Sequence, residues 1–150
     1  MRGVVGALAA AALVAAPPAG KDITITVRSV AGKVVRHPHP PAGEVGDEFV
    51  STLVLLDPRT RARVGTMAYS FTILTRCRGL TARCSATARL ESTTTFRDGT
   101  IRAAGKRVSI AQPTVVVRVR GGTGRYEHAR GTLTFGPTTT QTNVYRLSLP

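Results

Sequence analysis

Acid is scarce in this chain. Eight Asp and Glu face twenty-one Lys and Arg, a formal net charge of +13 over 150 residues. Tryptophan is absent and aromatic residues make up 5%. That shortage argues against a single-stranded nucleic-acid site, which needs aromatic faces for bases to stack on. The arginines are scattered rather than gathered in a run, so the charge reads as a solvated basic surface and no nucleic-acid partner is expected. Cysteine is limited to Cys77 and Cys84. Two sulfurs with no third Cys and no close His cannot complete a zinc shell. His37 and His39 lie in a proline-rich stretch, Arg36 to Gly43, with no converging third ligand. No metal and no cofactor are therefore expected. Also missing are a nucleophile elbow and a Ser-His-Asp order, which puts hydrolysis last among the reaction classes.

Helical periodicity is missing too. After Gly20 no segment repeats apolar residues at the spacing of a helix face. Short runs rich in Val, Thr and Ile, separated by Gly and Pro, argue for an all-β domain over residues 21–150. Residues 1–20 differ: Arg2 precedes an apolar run from Val4 to Ala16. The run is too short to cross a bilayer and fits the core of a secretory signal peptide. A secreted protein with no integral membrane span is the expectation. In an exported chain, Cys77 and Cys84 are expected to form a disulfide closing a short loop between strands, stabilising by about 2–3 kcal/mol. In a cytosolic chain they would be two buried thiols.

Alternation marks the strands. Ile23 to Arg28 alternates apolar and polar residues. In Phe49 to Leu56, Phe49, Ser51, Leu53 and Leu55 share one face and Val50, Thr52, Val54 and Leu56 the other; both are fairly apolar, which suits a strand covered on both sides. In Val64 to Leu74, Met67, Tyr69, Phe71 and Ile73 share another. Arg83 to Glu91 places the small Ala86 and Ala88 opposite that bulky row. Thr93 to Arg97 and Thr100 to Ala104 flank Asp98-Gly99, a strong hairpin signal. Thr114 to Arg120, Thr132 to Phe135 and Asn143 to Leu149 complete the set. About eight short-linked strands suit closure into a small barrel, which leaves no exposed sheet edge.

The most distinctive stretch is Val117-Arg118-Val119-Arg120-Gly121-Gly122-Thr123-Gly124-Arg125-Tyr126, followed by Ala129-Arg130-Gly131. It is a strand, a sharp loop and a return strand. No helix follows the glycines and no Gly-Lys-Ser/Thr ends them, so the loop is not a nucleotide site. Its Gly-Gly-Thr-Gly-Arg-Tyr and Ala-Arg-Gly pieces resemble the turn of dirigent proteins and of the related allene oxide cyclase barrels. Gly46-Asp47, Leu56-Asp57-Pro58 with Val64-Gly65, the hairpin Asp98 to Gly105, and Asn143-Val144-Tyr145 add to the resemblance, which spans Gly46 to Leu149.

The resemblance implies a closed eight-stranded antiparallel β-barrel with an apolar lumen, often assembled as a homo-trimer. It implies that a small apolar metabolite is held in one conformer while it cyclises or couples, which is catalysis by orientation. The enzyme class implied is an isomerase, a cyclase or a dirigent-type coupling protein. Carried over by position, Asp57 and Arg130 become candidate catalytic residues. Asp47, Met67, Tyr69 and Phe71 become candidate ligand-binding residues. Two positions depart from the family pattern. The acidic residue that dirigents often carry before the glycine pair is Val116 here, and the pocket cysteine of plant allene oxide cyclases falls near Phe71. The competing readings are a non-catalytic lipocalin-like carrier and a basic module bound to the cell envelope.

Overall fold

The computed structural model describes residues 20–37, 45–75, 86–109, 112–137 and 139–150. The expected leader, apart from Gly20, and the expected Cys77–Cys84 disulfide lie outside the described residues. Eight strands are present: β1 (Lys21–His37), β2 (Glu48–Leu56), β3 (Arg63–Thr75), β4 (Thr87–Phe96), β5 (Gly99–Ser109), β6 (Val115–Gly122), β7 (Arg130–Phe135) and β8 (Thr142–Leu149). Each pairs antiparallel with the next, and β8 returns to β1, so the sheet closes into a barrel. A 3-10 helix, Gly124–Tyr126, sits between β6 and β7.

Closure depends on the length of β1. Its first half, Lys21 to Arg28, pairs with β8, and its second half, Arg28 to His37, pairs with β2. Arg28 sits at the handover, opposite both Leu56 and Thr142. The sequence pattern places only Ile23 to Arg28 in this strand. The remaining residues carry no clean alternation and are drawn in by pairing with β2. Likewise, the two segments expected around Glu91 and Thr93 form one continuous strand, β4. A register shift between Ala88 and Leu90 interrupts its pairing with β5, and such a bulge breaks the pattern without ending the strand.

Alternation sorts the side chains between lumen and solvent. Among the described residues the largest fully buried side chains are Val27, Leu55, Met67, Thr94, Ile101, Leu133 and Tyr145, with Asp47 just before β2. Apart from Asp47, these fill one half of the barrel as a solid plug. Two residues along the same strands, on the same inward face, stand Ser29, Leu53, Tyr69, Phe135 and Asn143. The barrel thus has a packed half and a differently lined half.

One hydrogen bond pins the plug. The hydroxyls of Thr94 and Tyr145 lie 2.7 Å apart across the lumen, both buried. Burial pushes the Tyr145 phenol well above its ordinary value, partly offset by the Thr94 hydrogen bond. Phe96 packs edge-on against Tyr145, with ring centroids 5.8 Å apart. Removing one partner strands a buried polar atom, whereas removing both does not. Tyr145→Phe is therefore expected to lose about 1–3 kcal/mol of stability. The double variant Tyr145→Phe with Thr94→Val should recover part of that loss. Denaturant midpoints of the three proteins check this; a double variant less stable than the sum of the two single losses would show that the hydroxyl pair is not what holds the plug.

Candidate functional site

The strands that place Ser29, Leu53, Tyr69, Leu90, Val115, Phe135 and Asn143 enclose a cavity of about 760 Å³. These residues come from β1, β2, β3, β4, β6, β7 and β8, so the cavity occupies one end of the barrel. Gln112 and Pro113 of the β5–β6 connection and Gln141 of the β7–β8 connection border it. A volume of this size is in the range of small-molecule sites. Tyr69 and Phe135 lean together on one wall, with ring centroids 6.1 Å apart and planes tilted by 59°. Leu53, Leu90, Val115, Pro113 and Pro137 add apolar surface, while Gln112, Thr139 and Gln141 are polar members of the lining.

The polar groups on the inward strand positions of this cavity differ in state. The Ser29 hydroxyl donates to the Gln141 carbonyl at 3.1 Å. Asn143 is 4% exposed, and its side-chain Nδ2 is buried with no hydrogen-bond partner. No Lys, Arg, His, Asp or Glu is among the described lining residues. The sequence reading missed Asn143 as a site residue. The signal was present: it is the polar member of an inward face otherwise made by Tyr145, Leu147 and Leu149.

The residues singled out from sequence fall in several places. Tyr69 lines the cavity. Met67, one step deeper on β3, is fully buried in the plug. Phe71, one step the other way, stacks on Phe49 at 4.7 Å. Asp47 is fully buried beside the start of β2, where its carbonyl accepts the Ile73 N–H at 3.0 Å. Asp57 lies at the opposite end of the barrel, in the β2–β3 turn, where Oδ1 accepts the backbone N–H of Thr60 at 2.7 Å and of Arg59 at 2.9 Å. These bonds, Thr60 foremost, hold its carboxyl below the ordinary value. Asp57 also borders a recess of about 470 Å³ with Ile25, Arg63, Phe96, Asp98 and Tyr126. Arg130 opens β7, is exposed, and donates to the Ala129 carbonyl at 3.1 Å. It borders a separate depression on the outer wall with Arg118 and Arg120. The structure therefore does not gather Asp57 and Arg130 into one cavity.

The glycine stretch forms the floor. Thr123 N–H donates to the Thr100 carbonyl and Arg125 N–H to the Asp98 carbonyl, each at 3.0 Å. A Cβ at Gly122 would run into the Thr100 carbonyl oxygen, and Gly124 has φ of 58° with the Asp98 carbonyl close by. Only glycine meets both demands. This tight dock tucks Tyr126 under the barrel, where its ring packs 5.9 Å from Phe96 and its hydroxyl donates to Asp98 Oδ1 at 3.2 Å. Burial, together with the Asp98 charge, raises the Tyr126 phenol. The plug and this floor close the end of the barrel opposite the cavity.

On the outside, Arg118, Thr132 and Arg146 stand in register across β6, β7 and β8. Arg89, Arg102 and Arg120 extend the exposed basic wall, with Glu91 as an acidic member beside them. No helix among the described residues is long and apolar enough to cross a membrane.

No protein-family model matches the chain, and no curated protein matches it by sequence. Solved structures do. A structure titled pyocyanin demethylase superposes with a TM-score of 0.68 at 22% identity, covering 85% of this chain and 100% of that one. The Diels–Alderase from Streptomyces koyangensis gives 0.62 at 22% identity, covering 87% and 67%. A pterocarpan synthase dirigent protein gives 0.62 at 16% identity, covering 89% and 87%. The chain has the dirigent and cyclase barrel fold. The closed eight-stranded barrel expected from the sequence is the observed one, and its cavity lies away from the glycine loop.

The floor of this barrel has a pH signature. Partial burial pushes the Asp98 carboxyl up, but hydrogen bonds from Arg125 at 3.2 Å and from Tyr126 outweigh it, so it sits below its ordinary value of 3.8. A lowered folded value stabilises the protein above the unfolded value, and that contribution is lost as pH falls through the folded one. Asp98 and Arg125 are about half exposed, so the effect is small, below about 1 kcal/mol. Asp98→Asn is expected to be slightly less stable near neutral pH and to lose less stability than wild type below about pH 4. Thermal unfolding across that range checks it; parallel curves for the two proteins would contradict the assignment.

Proposed function

We propose that this protein binds a small apolar metabolite inside the barrel and directs its stereoselective cyclisation or coupling. The observation that carries the reading is the 760 Å³ cavity lined from most of the barrel's strands, where Leu53, Leu90, Val115 and Phe135 stand among uncharged polar side chains. Such a lumen acts by holding a flexible or reactive substrate in one near-attack shape, and orientation alone lowers a barrier substantially. Similar barrels with cyclase, Diels–Alderase and dirigent titles support that use of the fold. The proposal includes export, on the strength of Arg2 and the apolar run Val4 to Ala16, and a Cys77–Cys84 disulfide in the compartment reached. Asp57 remains a candidate acid or base for chemistry in the recess it borders, and Arg130 a candidate anion contact on the outer wall.

Blocking the lumen tests the reading. Val115→Trp would place an indole in the cavity while leaving both Asp57 and Arg130 in place. The neutral fluorescent probe N-phenyl-1-naphthylamine is expected to bind wild type with one site per barrel. Val115→Trp should weaken it at least tenfold, whereas Asp57→Asn and Arg130→Ala should leave it unchanged. Neutral metabolites captured by wild type and not by Val115→Trp are then candidate substrates. Conversion of one of them with enantiomeric excess would establish steering. A probe that binds Val115→Trp as well as it binds wild type would rule out the lumen.

The outer wall favours a second reading, attachment to an anionic polymer of the cell envelope. Arg118 and Arg120 are exposed on β6 and Arg146 on β8, on either side of β7, and surface charge of one sign attracts polyanions in a salt-dependent way. Charge reversal of these three residues to Glu should lower the salt needed to elute the protein from heparin–agarose without altering probe binding. Unchanged elution would remove this reading.

A further inference from the structure

The orphaned amide of Asn143 deepens the lumen reading and rests on it. Asn143 sits on β8, two residues from the plug residue Tyr145 and directly opposite Phe135 on β7. Its Nδ2 is buried and makes no hydrogen bond to the protein. Leaving a buried amide donor unmade costs about 1–3 kcal/mol. Two other buried side-chain atoms lack partners among the described residues, Arg28 Nε and Ser109 Oγ. Neither residue borders the cavity, whereas Asn143 does.

The surroundings restrict what can satisfy that donor. The neighbouring Ser29 hydroxyl gives its proton to the Gln141 carbonyl, and its oxygen makes no hydrogen bond to Nδ2. No cation is among the described lining residues, so a carboxylate or phosphate buried there would lack a counter-charge, at a cost of several kcal/mol. A pure hydrocarbon would leave the amide unpaired. What fits is a neutral molecule with an acceptor oxygen amid apolar carbon, with Tyr69 and Phe135 offering ring faces to its unsaturated part.

We propose that Asn143 Nδ2 is a substrate-recognition donor, and that the ligand of this lumen is a neutral, largely apolar compound presenting a carbonyl oxygen to it. The hydrogen bond fixes which end of the ligand lies against the plug. It also draws electron density towards the carbonyl oxygen, which activates a conjugated carbon–carbon double bond without any proton leaving the protein.

A matched pair of probes tests this. 1-Tetralone and tetralin have the same ring skeleton and differ in one carbonyl. Wild type is expected to bind tetralone roughly tenfold more tightly than tetralin, the worth of one desolvated hydrogen bond. The tetralone carbonyl stretch should move to lower frequency on binding, a reading on the unaltered protein that needs no variant. Asn143→Leu should abolish both the preference and the frequency shift while still binding tetralin. Equal affinities and no shift in wild type would overturn the proposal and leave the lumen reading standing. A preference that survives in Asn143→Leu would overturn the assignment to Asn143. Binding of neither probe would overturn the lumen reading and this proposal together.

Discussion

Everything in this molecule depends on one strand serving two neighbours. β1 gives Lys21 to Arg28 to β8 and Arg28 to His37 to β2. Without that handover the eight strands would form an open sheet with two free edges, and unpaired edges invite pairing with other chains. Closure also decides the interior. Once the ribbon meets itself, every second residue is committed to a shared lumen, and the chemistry of that lumen is set by which residues occupy the inward positions.

Those positions divide the barrel along its axis. At one end large side chains meet and exclude space: Leu55, Met67, Ile101, Leu133 and Tyr145 are buried essentially completely. Phe96 and Tyr126 seal them from below, and the glycine loop is shaped to bring Tyr126 there. At the other end the inward residues include Ser29, Leu53 and Asn143, and the strands enclose a cavity. A solid half makes the hollow half possible. The plug supplies the burial that a hollow barrel would lack, so the cavity walls can stay uncollapsed at modest cost.

Much of the fold was legible in the sequence. Alternation separated the two faces of β3, and Asp98-Gly99 identified the β4–β5 hairpin, because period-two patterning and turn chemistry are local; both faces of β2 are apolar in sequence, so its inward row was not legible. The second half of β1 was not legible, because its place comes from pairing with β2 and not from its own pattern. The site was legible only in part. Tyr69 borders the cavity and Met67 does not, although they sit two residues apart on one face. Depth along a barrel axis depends on strand tilt and stagger, which no single strand encodes. Asp57 and Arg130 were singled out by position in a resemblance, and the coordinates put them in separate depressions at the other end. Asn143 was overlooked although it is the polar residue in an apolar inward row.

The sealed floor has a consequence for traffic. A molecule lodged beside Asn143 would have Tyr145 beneath it, with Phe96 and Tyr126 behind. Among the described residues that end is filled, so arrival and departure would fall to the opposite one. Newcomer and leaver would compete for one doorway, so how quickly the transformed compound lets go would govern how often the vessel can be refilled.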